Sequence, residues 1–291
     1  MLLALALKAP AFYDASNVRD LLVNATPTLV AAVGMTLVIV ARQIDISIGS
    51  QFAICGVIAG LLAKHVDVPV AALGAVAAGG VLGAVNGGLV AFAGLPAIVV
   101  TLATMVGWRE ALRWNTGGLW VRDLPPGFQW LGLGQDPGRI AIVAIAFGVW
   151  ALVFWGVRHI AAGRAIYATG SDAEVARLAG LRPRLVIFGV FVAMGALTGL
   201  AALLSSIQFV DVQTNAGVGF ELRVIAASVV GGTPISGGRG SLAGTLVGVL
   251  LLTTVGPALT FLGAHAYWDR ALQGAVILAA VAGDARWRRA R

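Results

Sequence analysis

The chain has 291 residues, of which 59% are hydrophobic and only 11% are charged, and its net charge is +7. A soluble domain carries about 25% charged residues, so this composition excludes an ordinary soluble protein and predicts an integral membrane protein. The basic residues stand mostly singly between apolar runs, which indicates membrane topology rather than a nucleic-acid-binding surface. The single cysteine, Cys55, excludes an intrachain disulfide.

The uncharged runs predict helices that cross a membrane. Residues 68–108 contain no Asp, Glu, Lys or Arg. About 20 helical residues cross a bilayer core of about 30 Å, so this run predicts two crossings. Backbone groups inside lipid must bond to one another, which favours helices. In chain order the predicted spans are 21–41, 46–64, 68–93, 95–113, 139–157, 185–208, 241–262 and 268–283.

Two further segments do not fit a full crossing. Residues 1–18 hold either a short interfacial helix or the end of a helix that starts upstream, and Lys8 interrupts the apolar stretch that a signal peptide would need. Residues 222–234 are short for a crossing and predict a half-helix ending at Gly231. The predicted fold class is all-α: one transmembrane domain over residues 1–291, with about nine to ten membrane helices and at least one half-helix.

The connecting segments set the predicted orientation. Basic residues are densest on the side that carries residues 158–184 and the tail 286–291, and the positive-inside rule assigns this side and the C-terminus to the cytoplasm. Residues 114–138 and 209–221 then form loops on the outer, periplasmic side. Aromatic side chains in the first of these loops are predicted to anchor at the membrane interface: Trp120, Phe128 and Trp130.

The sequence shows no pattern of catalytic residues. Lys8 and Lys64 do not follow a glycine as the lysine of a phosphate-binding loop does, so the glycine-rich segment 231–240 is predicted to be a tight connection. The three histidines are scattered, and no metal-ligand spacing or nucleophile–base pair is visible. We therefore expect no catalytic residue, no metal and no enzyme activity in this chain alone. Ionisable residues are nearly absent from the spans, which argues against an ion-coupled carrier without excluding sodium bound by carbonyl and hydroxyl oxygens.

A short helix is predicted within the cytoplasmic segment. Residues 171–174 match a capping box, in which Ser171 caps the helix and Glu174 bonds back to it. Gly180 stands where a left-handed residue ends a helix. The helix is either an ordinary loop helix packed on the bundle or a docking element for a partner. It is expected to expose two apolar side chains: Val175 and Leu178.

Several blocks resemble the ribose-type sugar ABC permeases, the inner-membrane components of binding-protein-dependent transport systems. Residues 34–39 and 43–50 are similar to the family's G-I-D-L-S-V-G-S signature, and residues 86–90 with 95–105 to its second block. Further blocks resemble the coupling segment and the C-terminal signature of the family: residues 167–180, and residues 215–222, 225–227 and 231–241. The blocks keep the family's order along the chain.

The chain departs from this family at two places. Arg42 and Gln43 stand where the family usually has Gly-Gly, so Arg42 either pairs with Asp45 or anchors the span at the interface. The opening helix is also short relative to the ten-helix plan of the family.

The resemblance implies an ATP-driven importer. Two permease subunits, either two copies of this chain or this chain and a paralogue, form the pore, and a periplasmic sugar-binding protein delivers the cargo. Two ATP-binding cassette subunits bind ATP and Mg and dock on the cytoplasmic segment, so this chain needs no cofactor. The residues implied in coupling are Ser171, Asp172, Glu174, Val175, Arg177, Leu178 and Gly180.

Polar residues in or beside the spans are candidates for the translocation path. Asp45 and Ser47 either cap the next span or line a break where they meet sugar hydroxyls. Asn86 either bonds between helices or contacts the cargo. Thr101 and Thr104 share a helix face, and their hydroxyls either face the cargo or bond back to their own carbonyls. Each candidate therefore has a structural role as its alternative.

The predicted function is that of a permease subunit in the bacterial inner membrane. It moves a monosaccharide (pentose, hexose or deoxyhexose) inward by alternating access, driven by ATP hydrolysis on the partner. On the outer side, Asn215 and Glu221 either contact the binding protein or cap the half-helix. The alternatives are an ABC permease for another small polar solute, such as an autoinducer-like furanone or an amino acid, and a self-powered secondary carrier. Lipid surrounds the chain, and no nucleic-acid partner is expected.

Overall fold

The computed structural model describes residues 10–261 and single positions between 263 and 278. Within them the chain is all-α, as predicted, apart from an isolated antiparallel bridge between Val121 and Val212. Short 3-10 helices cover Pro10–Tyr13 and Gln129–Gly132. The α-helices in chain order are α1 (Ala15–Val40), α2 (Ile48–Ala63), α3 (Val68–Ala91), α4 (Ala97–Thr116), α5 (Gln135–His159), α6 (Ala161–Ser171), α7 (Ala173–Leu178), α8 (Pro183–Ser206), α9 (Phe220–Val230) and α10 (Leu242–Phe261).

The helices coincide with the predicted spans over the described part of the chain. There, 5 helices are long and apolar enough to cross a membrane: α1, α3, α5, α8 and α10. The apolar α2 is shorter, and α9 has only 11 residues, as the half-helix prediction requires. The N-terminal segment 1–9, most of the predicted span 268–283 and the tail 286–291 lie outside the described residues. The expected count of nine to ten membrane helices is therefore not confirmed.

Helix α1 lies at the centre of the bundle. In its most apolar stretch 89% of the residues are buried, and it packs against α5, α8, α9 and α10. A helix that is apolar on all sides is expected where protein surrounds it. Near its end, the Thr36 hydroxyl lies 3.3 Å from the Ser228 hydroxyl of α9 and 2.7 Å from the Thr245 hydroxyl of α10. These hydroxyls join the three helices by polar contacts inside an apolar core.

Helices α3 and α8 meet along a glycine seam. Gly79 and Gly83 of α3 lie so close to α8 that a Cβ atom at either position would collide with the carbonyl group of Gly195 or Phe191. A Cβ atom at Gly195 would in turn collide with the carbonyl group of Gly79. Small residues four positions apart let membrane helices approach until their backbones touch. The seam fixes the position of α3 against α8.

Two helices begin inside the bundle rather than at its edge. The connecting segment 41–47 leads from α1 to the start of α2, and the segment 207–219 runs back along α2 to the start of α9. Gly60 near the end of α2 contacts Val212, whereas Gly49 near its start contacts Gly217. The N-termini of α2 and α9 therefore lie side by side within the bundle, as the prediction of a half-helix at 222–234 anticipated for α9.

The predicted outer loop 114–138, of which residues 117–134 lie between α4 and α5, folds back onto the bundle. Its Phe128 is completely buried, so it packs in the protein core and does not anchor at the membrane interface as predicted. The backbone N–H of Trp130 donates to the carbonyl of Ile207 at 2.9 Å, and the Arg139 guanidinium lies 5.7 Å from the Trp130 ring centre. Trp120 stays 43% exposed. Contacts with the segment 207–219 thus draw part of this loop inward.

Candidate functional site

The predicted cytoplasmic segment 158–184 holds two helices, α6 and α7, of which the sequence predicted only α7. The packing of α6 depends on glycine: Gly163 lies against the backbone of Val157, and Gly170 lies against the carbonyl of Val40 at the end of α1. The Tyr167 hydroxyl donates to the carbonyl of Gly240 at 2.8 Å. Burial raises the pKa of the Tyr167 phenol above its ordinary value, so the hydroxyl stays protonated and keeps donating. Helix α6 is therefore packed against α1, α5 and the glycine-rich segment, and it carries α7 at its end.

The N-terminus of α7 is capped by Asp172 and not by Ser171 as predicted. The Asp172 carboxylate accepts hydrogen bonds from the backbone N–H groups of Glu174 and Val175 at 2.9 Å and 3.0 Å. Ser171 is the last residue of α6 and is therefore part of that helix, so it does not occupy the N-cap position of α7. Glu174 does not bond back to a cap residue, because its carboxylate binds the Arg177 guanidinium at 3.0 Å.

The C-terminus of α7 ends as the sequence predicted. Gly180 has a φ of +84°, the left-handed conformation that glycine adopts without strain. The N–H of Gly180 donates to the carbonyl of Arg177, and the N–H of Leu181 donates to the carbonyl of Ala176, both at 3.0 Å. This pair of bonds is the Schellman motif, which satisfies the last carbonyls of a helix. Both ends of α7 are thus closed by specific hydrogen bonds.

The outer face of α7 exposes the two apolar side chains that the sequence predicted. Val175 is 60% exposed and Leu178 is 76% exposed, whereas Ala176 faces inward at 4%. The ion pair of Glu174 and Arg177 lies beside them and raises the pKa of the Arg177 guanidinium above its ordinary value. A capped helix with an apolar tip and a charged flank has the chemistry of a docking surface.

Helix α6 is also held at a junction of three backbone segments, which we call the inner junction. It comprises Val40 at the end of α1, Gly170 and Ser171 at the end of α6, and Gly238 in the glycine-rich segment. The N–H of Gly238 donates to the carbonyl of Val40 at 2.9 Å. The Arg42 guanidinium donates to the carbonyl of Ser171 at 2.6 Å. Arg42 therefore binds the end of α6 and forms no ion pair with Asp45, the aspartate of the connecting segment 41–47.

That aspartate, Asp45, lies in a buried polar network at the start of α2. Its Oδ1 accepts hydrogen bonds from the N–H of Ser47 at 2.9 Å and from the Ser47 hydroxyl at 2.6 Å, and its Oδ2 accepts one from the Gln51 amide at 3.0 Å. The Ser47 oxygen accepts bonds from the amides of Gln51 and Asn86, each at 2.8 Å. All four side chains are completely buried. The network joins α3 to the connecting segment 41–47 and organises the first turn of α2.

Two oxygen atoms of this network have no hydrogen-bond partner among the described residues. They are Gln51 Oε1 and Asn86 Oδ1, both buried. A buried polar atom without a partner costs about 1–3 kcal/mol. The break between α1 and α2, at residues 41–47, is therefore a place where a water molecule or a hydroxyl group could be bound through these two acceptors.

The two threonines of α4 behave differently from the network residues. Thr101 is buried. Its hydroxyl lies 3.5 Å from the carbonyl of Ile44 in the connecting segment 41–47 and 3.5 Å from the carbonyl of Ile98. The Thr104 hydroxyl donates to the carbonyl of Thr101 at 3.3 Å, which is the bond back to the helix that the sequence left open. Thr101 thus lies beside the break, and Thr104 does not reach it.

Asn215 and Glu221, which the sequence assigned to the outer side, differ in their surroundings. Asn215 is exposed, whereas Glu221 lies in the first turn of α9 beside Gly49 at the start of α2. The Arg109 guanidinium donates to the carbonyl of Ala216 at 2.7 Å and interacts favourably with the Glu221 charge. A carboxylate in the first turn also suits the positive end of the helix dipole. This position favours the start of α9 electrostatically, and contact of either residue with a binding protein stays a prediction.

A cleft of about 420 Å³ opens between α1, α2, α9 and α10. Its walls combine side chains that can bond hydroxyl groups with aromatic rings: Asn24, Thr28, Gln208, Phe52, Phe209 and Phe220. None of the predicted path residues lines this cleft. Asp45, Ser47 and Asn86 belong instead to the closed network at the break.

Sequence reasoning missed Gln51 and Arg109. Gln51 follows Ser47 by four residues, which places both on one face of α2, and it is a lone amide in an apolar run. That pattern could have added it to the network. The contact of Arg109 with Ala216 depends on how distant segments pack. No local signal in the sequence reveals such a contact.

Known proteins resemble this chain over most of its length. Residues 17–281 match the family described as branched-chain amino acid transport system / permease component. The chain is 35% identical over 261 residues to the autoinducer 2 import system permease protein LsrC of Salmonella typhimurium, which covers 89% of this chain and 75% of LsrC. It is 34% identical over 284 residues to the ribose import permease protein RbsC of Escherichia coli K12, which covers 95% of this chain and 88% of RbsC. No solved structure matches the chain.

Proposed function

The chain belongs to the branched-chain amino acid transport system / permease component family, and we propose that it is the membrane-spanning permease subunit of an ATP-driven monosaccharide importer. Its similarity to a ribose import permease over 95% of its length supports a pentose or a related sugar as cargo. The similarity to an autoinducer 2 import permease favours a second candidate, a small polar signalling molecule such as a furanone. Both candidates share one architecture and one mode of energy supply.

The observation that carries this proposal is the geometry of α7. It is closed at both ends by hydrogen bonds, it follows directly on the packed helix α6, and it exposes Val175 and Leu178. An ATP-binding cassette subunit would bury these side chains in a groove and place charged groups near Glu174 and Arg177. The full proposed docking surface is Ser171, Asp172, Glu174, Val175, Arg177, Leu178 and Gly180.

Energy then reaches the permease through a partner. ATP and Mg would be bound by two cassette subunits, and their closure would bias the permease pair between inward-facing and outward-facing states. The second permease is a copy of this chain or a paralogue, and a periplasmic binding protein delivers the sugar. We propose a location in the bacterial inner membrane with a cytoplasmic C-terminus, and a single transmembrane domain.

We also propose that the cargo passes the break between α1 and α2. The unpartnered oxygens of Gln51 and Asn86 support this, because they are acceptors to which sugar hydroxyls could donate. The candidates at the break are Asp45, Ser47, Asn86 and Thr101. Thr104 is a further candidate on α4, although its hydroxyl bonds back to its own helix. Substituting a path residue should change the KM or the maximal rate of uptake while ATP hydrolysis stimulated by the binding protein persists. Contact of Asn215 and Glu221 with the binding protein is a proposal of the same kind.

Co-purification with the candidate ATPase tests the docking proposal. Leu178→Asp and Glu174→Arg should release the ATPase, because the first places a charge in the apolar contact and the second turns an ion pair into a repulsive pair. Ile160→Asp is the matched control, since Ile160 lies in the same segment, is 48% exposed and is not part of α7. Retention of the ATPase by both α7 variants would contradict docking at α7.

Uptake into proteoliposomes tests the rest. The complete system should import labelled ribose only with ATP inside, and excess unlabelled sugar or autoinducer 2 in the binding-protein compartment should reveal which cargo competes. Uptake by the purified chain without any ATPase would refute the importer and favour a self-powered carrier.

A further inference from the structure

We propose that Arg42 is a positioning residue that transmits the movement of α7 to the helix break at residues 41–47, an inference that rests on the proposed function. The residue lies in the connecting segment 41–47, three positions before Asp45. Its guanidinium reaches the carbonyl of Ser171 at 2.6 Å. One side chain thus connects the docking end of the molecule with the buried network.

The hydrogen bond from Arg42 to Ser171 is formed although the backbone conformation of Arg42 is strained. Its φ is +61°, in the left-handed region where glycine is at ease and an L side chain is strained. Strained residues persist where the surrounding structure holds them in place. Here an arginine keeps a conformation suited to glycine, and its side chain makes the hydrogen bond to Ser171.

The place of this hydrogen bond makes it suitable for transmission. Ser171 is the last residue of α6, and the next residue, Asp172, caps α7. The bond therefore lies at the hinge between the two helices. No basic residue stands in the last turn of α6, so Arg42 supplies from the segment after α1 the positive charge that favours a helix C-terminus.

The same side chain also touches the glycine-rich segment that follows α9. Gly237 has a φ of +74°, and a Cβ atom there would collide with the Arg42 side chain and with the carbonyl of Ile39. Beside it, the N–H of Gly238 donates to the carbonyl of Val40. Arg42 is thereby in contact with α6, with the end of α1 and with the connection from α9 to α10.

The path of a displacement follows from these contacts. When a bound ATPase moves α7, the carbonyl of Ser171 moves with it and pulls the Arg42 guanidinium. Only Gln43 and Ile44 separate Arg42 from Asp45, and the Asp45 carboxylate organises the first turn of α2. Helix α2 is then displaced together with the network at its start.

The test uses the complete importer in proteoliposomes, with Arg42→Gly and Arg42→Ala compared with wild type. Arg42→Gly should fold, because glycine adopts the positive φ without strain. It should keep the ATPase bound and keep basal ATP hydrolysis, but import at least roughly fivefold less solute per ATP hydrolysed, the lower end of ordinary allosteric coupling. Arg184→Ala is the control, an exposed arginine beyond α7 on the same segment, and it should not change this ratio.

A second readout reports on the break itself. In a Cys55→Ala background, Ile46→Cys places a thiol beside Asp45, and its labelling rate should change when ATP binds to the wild-type importer. Arg42→Gly should abolish that change. An unaltered ratio of solute to ATP, or a labelling change that persists in Arg42→Gly, would overturn the role of Arg42. Failure of the wild type to retain an ATPase would instead refute the proposed function.

Discussion

Asp45→Ala should destabilise the protein strongly, whereas Asp45→Asn should be tolerated. The Asp45 carboxylate accepts hydrogen bonds at 2.9 Å, 2.6 Å and 3.0 Å from the backbone and hydroxyl of Ser47 and from the amide of Gln51. Alanine removes every acceptor and leaves these donors buried. Hydrogen bonds within membrane bundles contribute about 0.6–1.7 kcal/mol each, and a buried donor without a partner costs about 1–3 kcal/mol. We expect Asp45→Ala to cost about 3 kcal/mol.

Asparagine keeps one acceptor oxygen for Ser47 and places an NH₂ group opposite Gln51. Gln51 can then turn its amide by half a rotation, so that Oε1, which has no partner among the described residues of the wild-type protein, accepts from the new NH₂ group. The same rotation removes the hydrogen bond from Gln51 Nε2 to the Ser47 oxygen, so one bond is gained and one is lost. The cost of Asp45→Asn should therefore be about 1 kcal/mol, well below that of Asp45→Ala.

The assay is reversible unfolding of the purified protein in mixed micelles of mild detergent and SDS, followed by tryptophan fluorescence. Asp67→Ala is the matched control, because Asp67 precedes α3, is exposed and makes no side-chain capping bond. It should change the free energy of unfolding by less than about 0.5 kcal/mol. Equal destabilisation by Asp45→Ala and Asp45→Asn would refute this account of the network.

Other substitutions test the seam and the ends of α7. Gly83→Ala should lower the melting temperature of the detergent-solubilised protein by several degrees, because the new Cβ atom would collide with the Phe191 carbonyl. Gly88→Ala is the control: its Cβ atom would meet no atom within 4 Å, so the melting temperature should stay unchanged or rise. Asp172→Ala should cost α7 about 1 kcal/mol in local stability measured by hydrogen exchange, and equal loss in Ser171→Ala would contradict the observed cap. Gly180→Ala should cost about 1 kcal/mol in the same measurement because its φ is positive, and no loss would contradict the left-handed end.

The sequence predicted the spans well because charge and turn residues interrupt the apolar runs at their ends. The predicted span 68–93 corresponds to Val68–Ala91, and the predicted span 185–208 corresponds to Pro183–Ser206. The short helix Phe220–Val230 was also anticipated, since a run of that length cannot cross a bilayer. Each of these features is encoded locally.

Features that depend on distant packing were not predicted. Helix α6 contains Gly163 and Gly170, which lower helix propensity, and it forms because both glycines allow close contact with other segments. The capping box at Ser171 could not be located correctly without knowing that α6 extends to that residue. The partner of Arg42 is a carbonyl 129 positions away, and the sequence offered only Asp45 as a nearby partner.

The glycine seam has a consequence for biosynthesis. Helix α3 is complete at Ala91, but its partner α8 is complete only at Ser206, after α4 to α7 have been made. At a synthesis rate of about 5–20 residues per second, α3 spends on the order of ten seconds in the bilayer before α8 arrives. During that interval the groove along Gly79 and Gly83 is without its protein partner. The contact of α3 with α8 therefore forms late in membrane insertion.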